Sequence, residues 1–184
     1  MILNDNLIEF WKTIDKETKF KETLLDRYIK NQSCPEILRF IKLGGGPRLG
    51  SLAEKYARYV FDFKNRLKGN TNYDHILYYN NISIKIEQKT STLNTNNDYL
   101  WQHISYKHPW DLLLLMGISY DKIAFYAFSK KTFHFLLNQG KITNQGSKNN
   151  DSHQGFWFKY SNVRNNITQI YTQKDIIDLF FKDS

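Results

Sequence analysis

The chain has 184 residues, of which 41% are hydrophobic and 16% aromatic, enough for one folded domain with an apolar core. It carries 26 basic and 18 acidic residues, and this net charge of +8 favours polyanions, nucleic acid first among them, as partners. The single cysteine, Cys34, excludes an internal disulfide and a multi-thiolate zinc site. The sequence shows neither a signal-peptide pattern nor an apolar run that could span a bilayer, so we expect a cytoplasmic protein with no membrane partner.

Residues 1–43 are predicted to form an N-terminal helical layer. Apolar residues recur there at helical spacing, and Ser33 followed by Pro35 is typical of a helix start. The glycine-rich segment 44–50 is predicted to be a hinge between this layer and a catalytic core formed by residues 51–184. All three parts are expected to belong to one domain.

The first helix of the core is predicted to begin at Ser51. Ser51 and Glu54 stand at the two positions of a capping box, in which the Glu side chain reaches back to the first free amide. This pattern gives Glu54 a structural role that any metal-binding role must compete with. The buried stripe of the helix is predicted to consist of Leu52, Tyr56, Tyr59, Val60 and Phe63.

Residues 74–89 are predicted to form a β-hairpin. The two-residue turn is placed at Asn80–Asn81, because Asn tolerates the positive φ angles that tight hairpin turns require. In this register Asp74 lies opposite Glu87, and Lys89 shares the face of Glu87 because side chains alternate along a strand. The other face is expected to point to the core and contains Leu77, Tyr79, Ile82, Ile84 and Ile86.

Two carboxylates that face each other across a ladder repel, so the pair of Asp74 and Glu87 needs compensation. Mg²⁺ is one solution, because it binds one or two carboxylates together with water and substrate phosphates. Lys89 could then stabilise an attacking hydroxide or the charge that develops on a phosphate. The simpler alternative is that Lys85 and Lys89 pair with the two acids on a solvated face.

After this site the sequence predicts a loop at residues 90–97, followed by an aromatic and hydrogen-bonding cluster at 99–104. Two neighbouring strands are predicted at 111–118 and 122–129, and a helix at 130–138. A long mobile loop at 139–155, a last strand at 156–160 and a closing helix at 172–182, capped by Thr172, complete the prediction.

The order of a helix, a hairpin bearing Asp…Glu-x-Lys, two strands and a helix resembles the PD-(D/E)XK nuclease core. Asp74, Glu87 and Lys89 match the catalytic motif of that family, with twelve residues between the Asp and the Glu, and Tyr73 stands at the position of the nominal Pro. Glu54 resembles, in its position on the preceding helix, an acid that serves as an additional metal ligand in some members of the family. The resemblance implies an α/β fold bordering on α+β, with a central mixed sheet flanked by helices.

The same resemblance implies a Mg²⁺-dependent hydrolysis of DNA, with Mn²⁺ expected to substitute. Asp74, Glu87 and the backbone carbonyl of Gln88 would hold the metal, and Lys89 would orient or activate the attacking water. Candidates for further contacts to DNA are Arg48, Lys55, Gln102 and His103.

The Gly-Gly-Gly-Pro-Arg-Leu-Gly segment, the Ile-Glu-Gln-Lys-Thr-Ser stretch and the chain length resemble the small subunit of heterodimeric Type IIS restriction endonucleases. This implies double-stranded DNA and a larger subunit, which recognises the site and nicks one strand, as partners. Two alternatives stay open. One is a non-catalytic DNA-binding or assembly protein with this fold, and the other is a structure-specific repair nuclease.

Overall fold

The computed structural model describes residues 23–44, 48–65, 72–145 and 155–183. Within these ranges the chain forms six helices and nine strands, in a mixed α/β arrangement. In chain order they are α1 Leu24–Lys30, α2 Pro35–Gly44, α3 Arg48–Phe61, β1 Lys64–Asn65, β2 His75–Tyr79, β3 Ile82–Thr92, β4 Leu100–Ile104, β5 Leu112–Ile118, β6 Ile123–Ser129, α4 Lys130–Asn138, β7 Thr143–Asn144, β8 Phe156–Lys159, α5 Tyr160–Val163, β9 Thr168–Ile170 and α6 Gln173–Asp183.

The predicted hairpin is confirmed. Asn80 and Asn81 both have positive φ, 47° and 64°, as a two-residue turn between twisted strands requires. β2 and β3 pair antiparallel from Tyr79↔Ile82 to His75↔Ile86, which is the predicted register. The core face is shorter than predicted, because Tyr79 and Ile82 next to the turn are exposed.

The hairpin belongs to a six-stranded mixed sheet with the strand order β1-β2-β3-β5-β6-β9. β3 and β5 run parallel, and the other neighbours are antiparallel. All seven residues of β5 are buried, which confirms the prediction that its continuous apolar run is covered on both faces. A separate three-stranded sheet has the order β4-β8-β7.

Each face of the six-stranded sheet has its own apolar core. The first core lies under α1, α2, α3 and α6, and it includes Tyr28, Ile41, Phe61, Ile84, Ile86, Leu114, Met116 and Ile176. The second core joins the opposite face to the three-stranded sheet and α4, and it includes Ile76, Trp101, Ile104, Leu113, Leu115, Phe128, Phe133 and Phe158. The sheet is therefore flanked on both sides, and the ends of its strands remain available for a site.

Two of the predicted helices of the N-terminal layer are confirmed. Thr23 and Asp26 form a capping box at the start of α1, and Pro35 is the first residue of α2. Residues 1–22, for which helical structure was also predicted, lie outside the described residues.

The predicted hinge and helix start around Ser51 are corrected. α2 ends at Gly44 and α3 already begins at Arg48, so that only residues 45–47, which are outside the described ranges, separate the two helices. Ser51 and Glu54 consequently lie inside α3 and cannot form a capping box at its start. The buried face is also different: it consists of the small residues Ala53 and Ala57 together with Phe61, which let the helix approach the sheet closely.

Side chains of the predicted α3 stripe are therefore only partly buried. Tyr59 is 87% exposed and Val60 is 40% exposed, because both lie on the solvent side of a helix whose register is set by Ala53 and Ala57. Phe63 is buried, but it follows the helix.

Two predicted loops contain strands. Residues 90–92 continue β3 alongside β5, so the loop leaving the site begins later than predicted. In the segment 139–155, Ile142 is buried and β7 pairs with β8, while residues 146–154 lie outside the described ranges. Among the described residues, no helix has the length and apolarity that crossing a bilayer requires.

Candidate functional site

Asp74 is held at the point where the regular pairing of β2 and β3 ends. The last ladder pair is His75↔Ile86, and the Asp74 amide donates to the Ile86 carbonyl at 2.9 Å. The Gln88 amide in turn donates to Asp74 Oδ2 at 2.8 Å. Asp74 thus reaches across to the backbone of Gln88 instead of continuing the ladder as a regular pair with Glu87, and its carboxylate lies against the Glu-x-Lys segment.

Glu87 and Lys89 form an ion pair on one face of β3, as their alternation predicted. Lys89 Nζ lies 2.7 Å from Glu87 Oε1, and the two side chains are 22% and 7% exposed. Burial raises the pKa of Glu87, and the negative charges of Asp74 and Glu54 raise this pKa further, whereas Lys89 lowers it. The pair is therefore not on a solvated face. Glu87 is a nearly buried carboxylate whose charge is stabilised by Lys89 and opposed by the charges of Asp74 and Glu54.

Glu54 reaches the same place from α3. It lines a cleft of about 350 Å³ together with Asp74, Gln88, Lys89, Leu49, Gly50 and Thr90. The shared lining places this helix acid beside the strand acid Asp74. Because α3 begins at Arg48, Glu54 does not form the capping box that the sequence predicted, so this role no longer competes with metal binding.

A buried polar network lies directly behind the acids. His75 is fully buried, and its Nε2 donates to Gln88 Oε1 at 2.7 Å, while its Nδ1 lies 3.4 Å from Arg58 Nη1. Arg58 can only donate and the Gln88 oxygen can only accept, so both contacts are satisfied by the tautomer of His75 with the proton on Nε2. Arg58 also lies 3.8 Å from Glu54 Oε2. The network connects α3 to both strands of the hairpin.

A second cleft of about 420 Å³ continues from the first along β3. The two share Leu49, Lys89 and Thr90, and the second is lined in addition by Ser91, Thr92, Leu100, Gln102 and His103. Gln102 and His103 lie where the pairing of β4 with β8 is interrupted between Trp101 and Ile104. Asp74 and Lys89 therefore border one continuous groove together with Gln102 and His103, whereas Glu87 is buried beside it and does not line either cleft.

The other two candidate DNA contacts lie elsewhere. Arg48 and Lys55 are exposed on α3 and are not among the residues that line either cleft. Sequence reasoning assigned no role to His75 or the Gln88 side chain, and it considered Arg58 only as a residue that faces phosphate or water. The alternation of side chains could have indicated this network. It places His75 and Gln88 on the hairpin face that is otherwise apolar, and buried polar side chains need hydrogen-bond partners.

The donor set of the site is chemically suited to a hard divalent cation. Carboxylate and backbone carbonyl oxygens at Asp74, Glu87 and Gln88 are the ligand types that Mg²⁺ prefers, and Mg²⁺ usually completes its shell with water. Within the described part of the chain, no group of three or more His, Cys, Asp and Glu side chains is arranged to hold a metal by itself. A cation here would therefore depend on water and substrate oxygens for the rest of its ligands.

No protein-family model matches the sequence. The search of curated proteins likewise gave no match.

Proposed function

We propose that the chain is a Mg²⁺-dependent DNA endonuclease subunit with a PD-(D/E)XK core, which hydrolyses one strand of duplex DNA. The observation that carries this proposal is the juxtaposition of Asp74 with the buried Glu87–Lys89 pair at the end of the β2–β3 ladder. Three acids and one lysine near a single cleft are costly for stability, and such arrangements are typical of functional sites.

Each group in the cleft has a role in this proposal. Asp74, Glu87 and the Gln88 carbonyl would hold the cation, and Glu54 is a further candidate ligand. A bound Mg²⁺ would supply charge stabilisation for the phosphate and its leaving oxygen. Lys89, the only cation among the residues lining the first cleft, would orient the attacking water and stabilise its developing negative charge.

The surrounding protein supports these roles by fixing the positions of the groups. The Gln88 amide holds the Asp74 carboxylate, and the His75 network holds the Gln88 side chain on the opposite face. Such support matters because a displacement of about 1 Å in a catalytic group can cost roughly 10²-fold in rate.

We further propose that the chain acts as the small cleavage subunit beside a larger recognition subunit, as in heterodimeric Type IIS enzymes. The groove offers one set of catalytic groups, and one set cuts one strand of an antiparallel duplex at a time. No helix-turn-helix or other dedicated base-reading module was predicted from the sequence, so a partner would have to select the site.

The test is a nicking assay on supercoiled plasmid, with purified chain alone and with a candidate large subunit whose own active site is disabled. The expected product is an open circle that forms with Mg²⁺ or Mn²⁺ and is absent with EDTA or with Asp74→Asn. Asp62→Asn is the matched control, because Asp62 is exposed beyond the end of α3 and should leave nicking unchanged. Double-strand cleavage by the chain alone would contradict the subunit assignment.

One observation favours a second candidate, a non-catalytic DNA-binding or assembly protein with this fold. Lys89 already neutralises Glu87 at 2.7 Å, so this part of the site is stable without a cation. In that case the chain would bind DNA, but no combination of cation and partner would produce a nick. A structure-specific repair nuclease would instead cut branched substrates without a partner.

A further inference from the structure

The groove next to the acids has a different chemistry from the site itself. The first cleft is lined by two carboxylates, Glu54 and Asp74, and by Lys89. The second cleft has no carboxylate among its lining residues, which are Lys89, three hydroxyl side chains, an amide, an imidazole and two leucines. The groove is thus divided into a half suited to a cation and a half suited to an anion.

The floor of the second cleft is the end of β3. The regular ladder with β2 stops at Ile86, whereas β3 continues to Thr92 along β5. β4 closes the far side, where the Leu100 amide donates to Ser91 Oγ at 2.9 Å. Thr90, Ser91 and Thr92, together with Leu100, Gln102 and His103 of β4, therefore extend the groove beyond Lys89.

The wall of the cleft is fixed in an unusual backbone conformation. His103 has a φ of 57°, which is uncommon for a residue other than glycine, and it lies at the irregularity of β4. Trp101 and Ile104 on either side are completely buried, so the irregular segment is anchored at both ends. Backbone strain of this kind costs free energy and persists where the surrounding structure holds it in place.

Gln145 fastens this segment from the neighbouring β7 region. Its Nε2 donates to Gln102 Oε1 at 2.9 Å, and its Oε1 accepts from the His103 amide at 3.2 Å. The first bond occupies the oxygen of Gln102 and leaves its amide nitrogen, a hydrogen-bond donor, as the remaining polar atom of this side chain, which lines the cleft.

We propose that this second cleft, formed by Thr90, Thr92, Gln102 and His103, binds the phosphodiester backbone of the DNA strand next to the phosphate that is cut. The assignment rests on the proposed nuclease function. Hydroxyl, amide and imidazole groups are typical contacts to phosphate and sugar oxygens, and they position a strand without reading its sequence. The ligand class is a strand phosphate, and the cleft sets where that strand lies relative to Asp74 and Lys89.

The experiment places single charges in the cleft and at a distant matched position. Gln102→Glu and Gln102→Lys are compared with Gln169→Glu and Gln169→Lys, because Gln169 is exposed on β9, an edge strand of the six-stranded sheet that lines neither cleft. Each pair changes the net charge by the same amount, so general electrostatic attraction is controlled. Binding of a fluorescent DNA duplex is measured by anisotropy in EDTA, which requires no cleavage.

The expected result is that Gln102→Glu weakens DNA binding by roughly tenfold, since a like charge then lies within a few ångströms of a phosphate. Gln102→Lys should tighten binding, and both Gln169 variants should stay within about twofold of the wild type. Opposite effects at one position exclude misfolding as the cause.

Equal effects at positions 102 and 169 would overturn the phosphate subsite, while nicking by the wild-type chain would leave the nuclease proposal intact. A clear difference between the two positions without any nicking would show that the cleft binds a DNA strand but would reject the nuclease, and with it the assignment of the cleft as a subsite next to a cut phosphate. Failure of the wild-type chain to bind DNA at all would overturn both.

Discussion

Replacement of Lys89 by alanine is the most informative single change, because it separates the stabilising role of this lysine from its proposed catalytic role. Lys89→Ala leaves the Glu87 carboxylate, 7% exposed, facing the negative charges of Asp74 and Glu54. Removing one partner of a fully buried ion pair costs about 3–5 kcal/mol. Since 22% of the Lys89 side chain is exposed, we expect the free energy of unfolding to fall by about 1–3 kcal/mol at neutral pH.

The loss should depend on pH in a direction that the structure fixes. Burial already raises the pKa of Glu87 above its ordinary value of 4.5, and Lys89 opposes that rise. A carboxyl whose pKa is raised on folding stabilises the fold below the ordinary pKa, and this contribution is lost as the pH rises through the raised value. Without Lys89 the pKa of Glu87 rises further, so the variant should lose most stability at neutral and alkaline pH and regain it on acidification.

Urea unfolding at pH 5 and pH 8, with and without Ca²⁺, measures this effect. A divalent cation should restore more stability to Lys89→Ala than to the wild type, because it replaces the missing positive charge, whereas nicking should stay reduced by about 10²–10³-fold. Lys85→Ala, on the same strand and the same face, is the matched control. A loss equal at both pH values, or no larger than that of Lys85→Ala, would refute the ion-pair reasoning. Near-normal nicking would remove Lys89 from the mechanism.

Three further experimental results are predicted, two for substitutions and one for DNA binding by the unaltered chain. Tyr28→Phe should lower the free energy of unfolding in urea by about 1–2 kcal/mol, because the buried Tyr28 hydroxyl donates to the Ile118 carbonyl and accepts from the Leu93 amide. The control is Tyr59→Phe, which changes an exposed side chain and should alter the free energy of unfolding by less than about 0.5 kcal/mol. Gly117→Ala should cost about 1–3 kcal/mol in the same assay, since its Cβ would lie 2.7 Å from the Tyr99 ring, and an unchanged midpoint would contradict this close packing. DNA binding by the isolated chain should be weak, independent of sequence and steeply salt-dependent, and a sequence-specific footprint in high salt would speak against this.

Local sequence was sufficient for the hairpin and for β5, β6 and β8, but not for β4, β7 and β9. The Asn80–Asn81 turn and the alternation of side chains fixed the register of β2 and β3, because both are decided by neighbouring residues. The apolar run of β5 and the bounds of α4 were predicted for the same reason. The Mg²⁺, DNA and partner-subunit assignments remain predictions.

The start of α3 shows where local signals fail. Ser51 and Glu54 match a capping box, yet the helix begins at Arg48, because the packing of Ala53, Ala57 and Phe61 against the sheet decides its register. The sequence could not reveal this, since the sheet surface that selects these side chains is built from strands that come later in the chain.

The sequence by itself determined the pairing of β2 and β3 and the shared face of Glu87 and Lys89, because both follow from the two-residue period of a strand. Only the tertiary structure decided that Glu54 lies in the same cleft, that His75 and Arg58 support Gln88, and that Gln102 and His103 extend the groove. These contacts join separate elements of the chain: His75 and Gln88 are 13 positions apart, and Arg58 and His75 are 17 positions apart. The physical reason is that burial, ion pairing and cleft formation depend on how separate elements pack together, and no local pattern of residues encodes that packing.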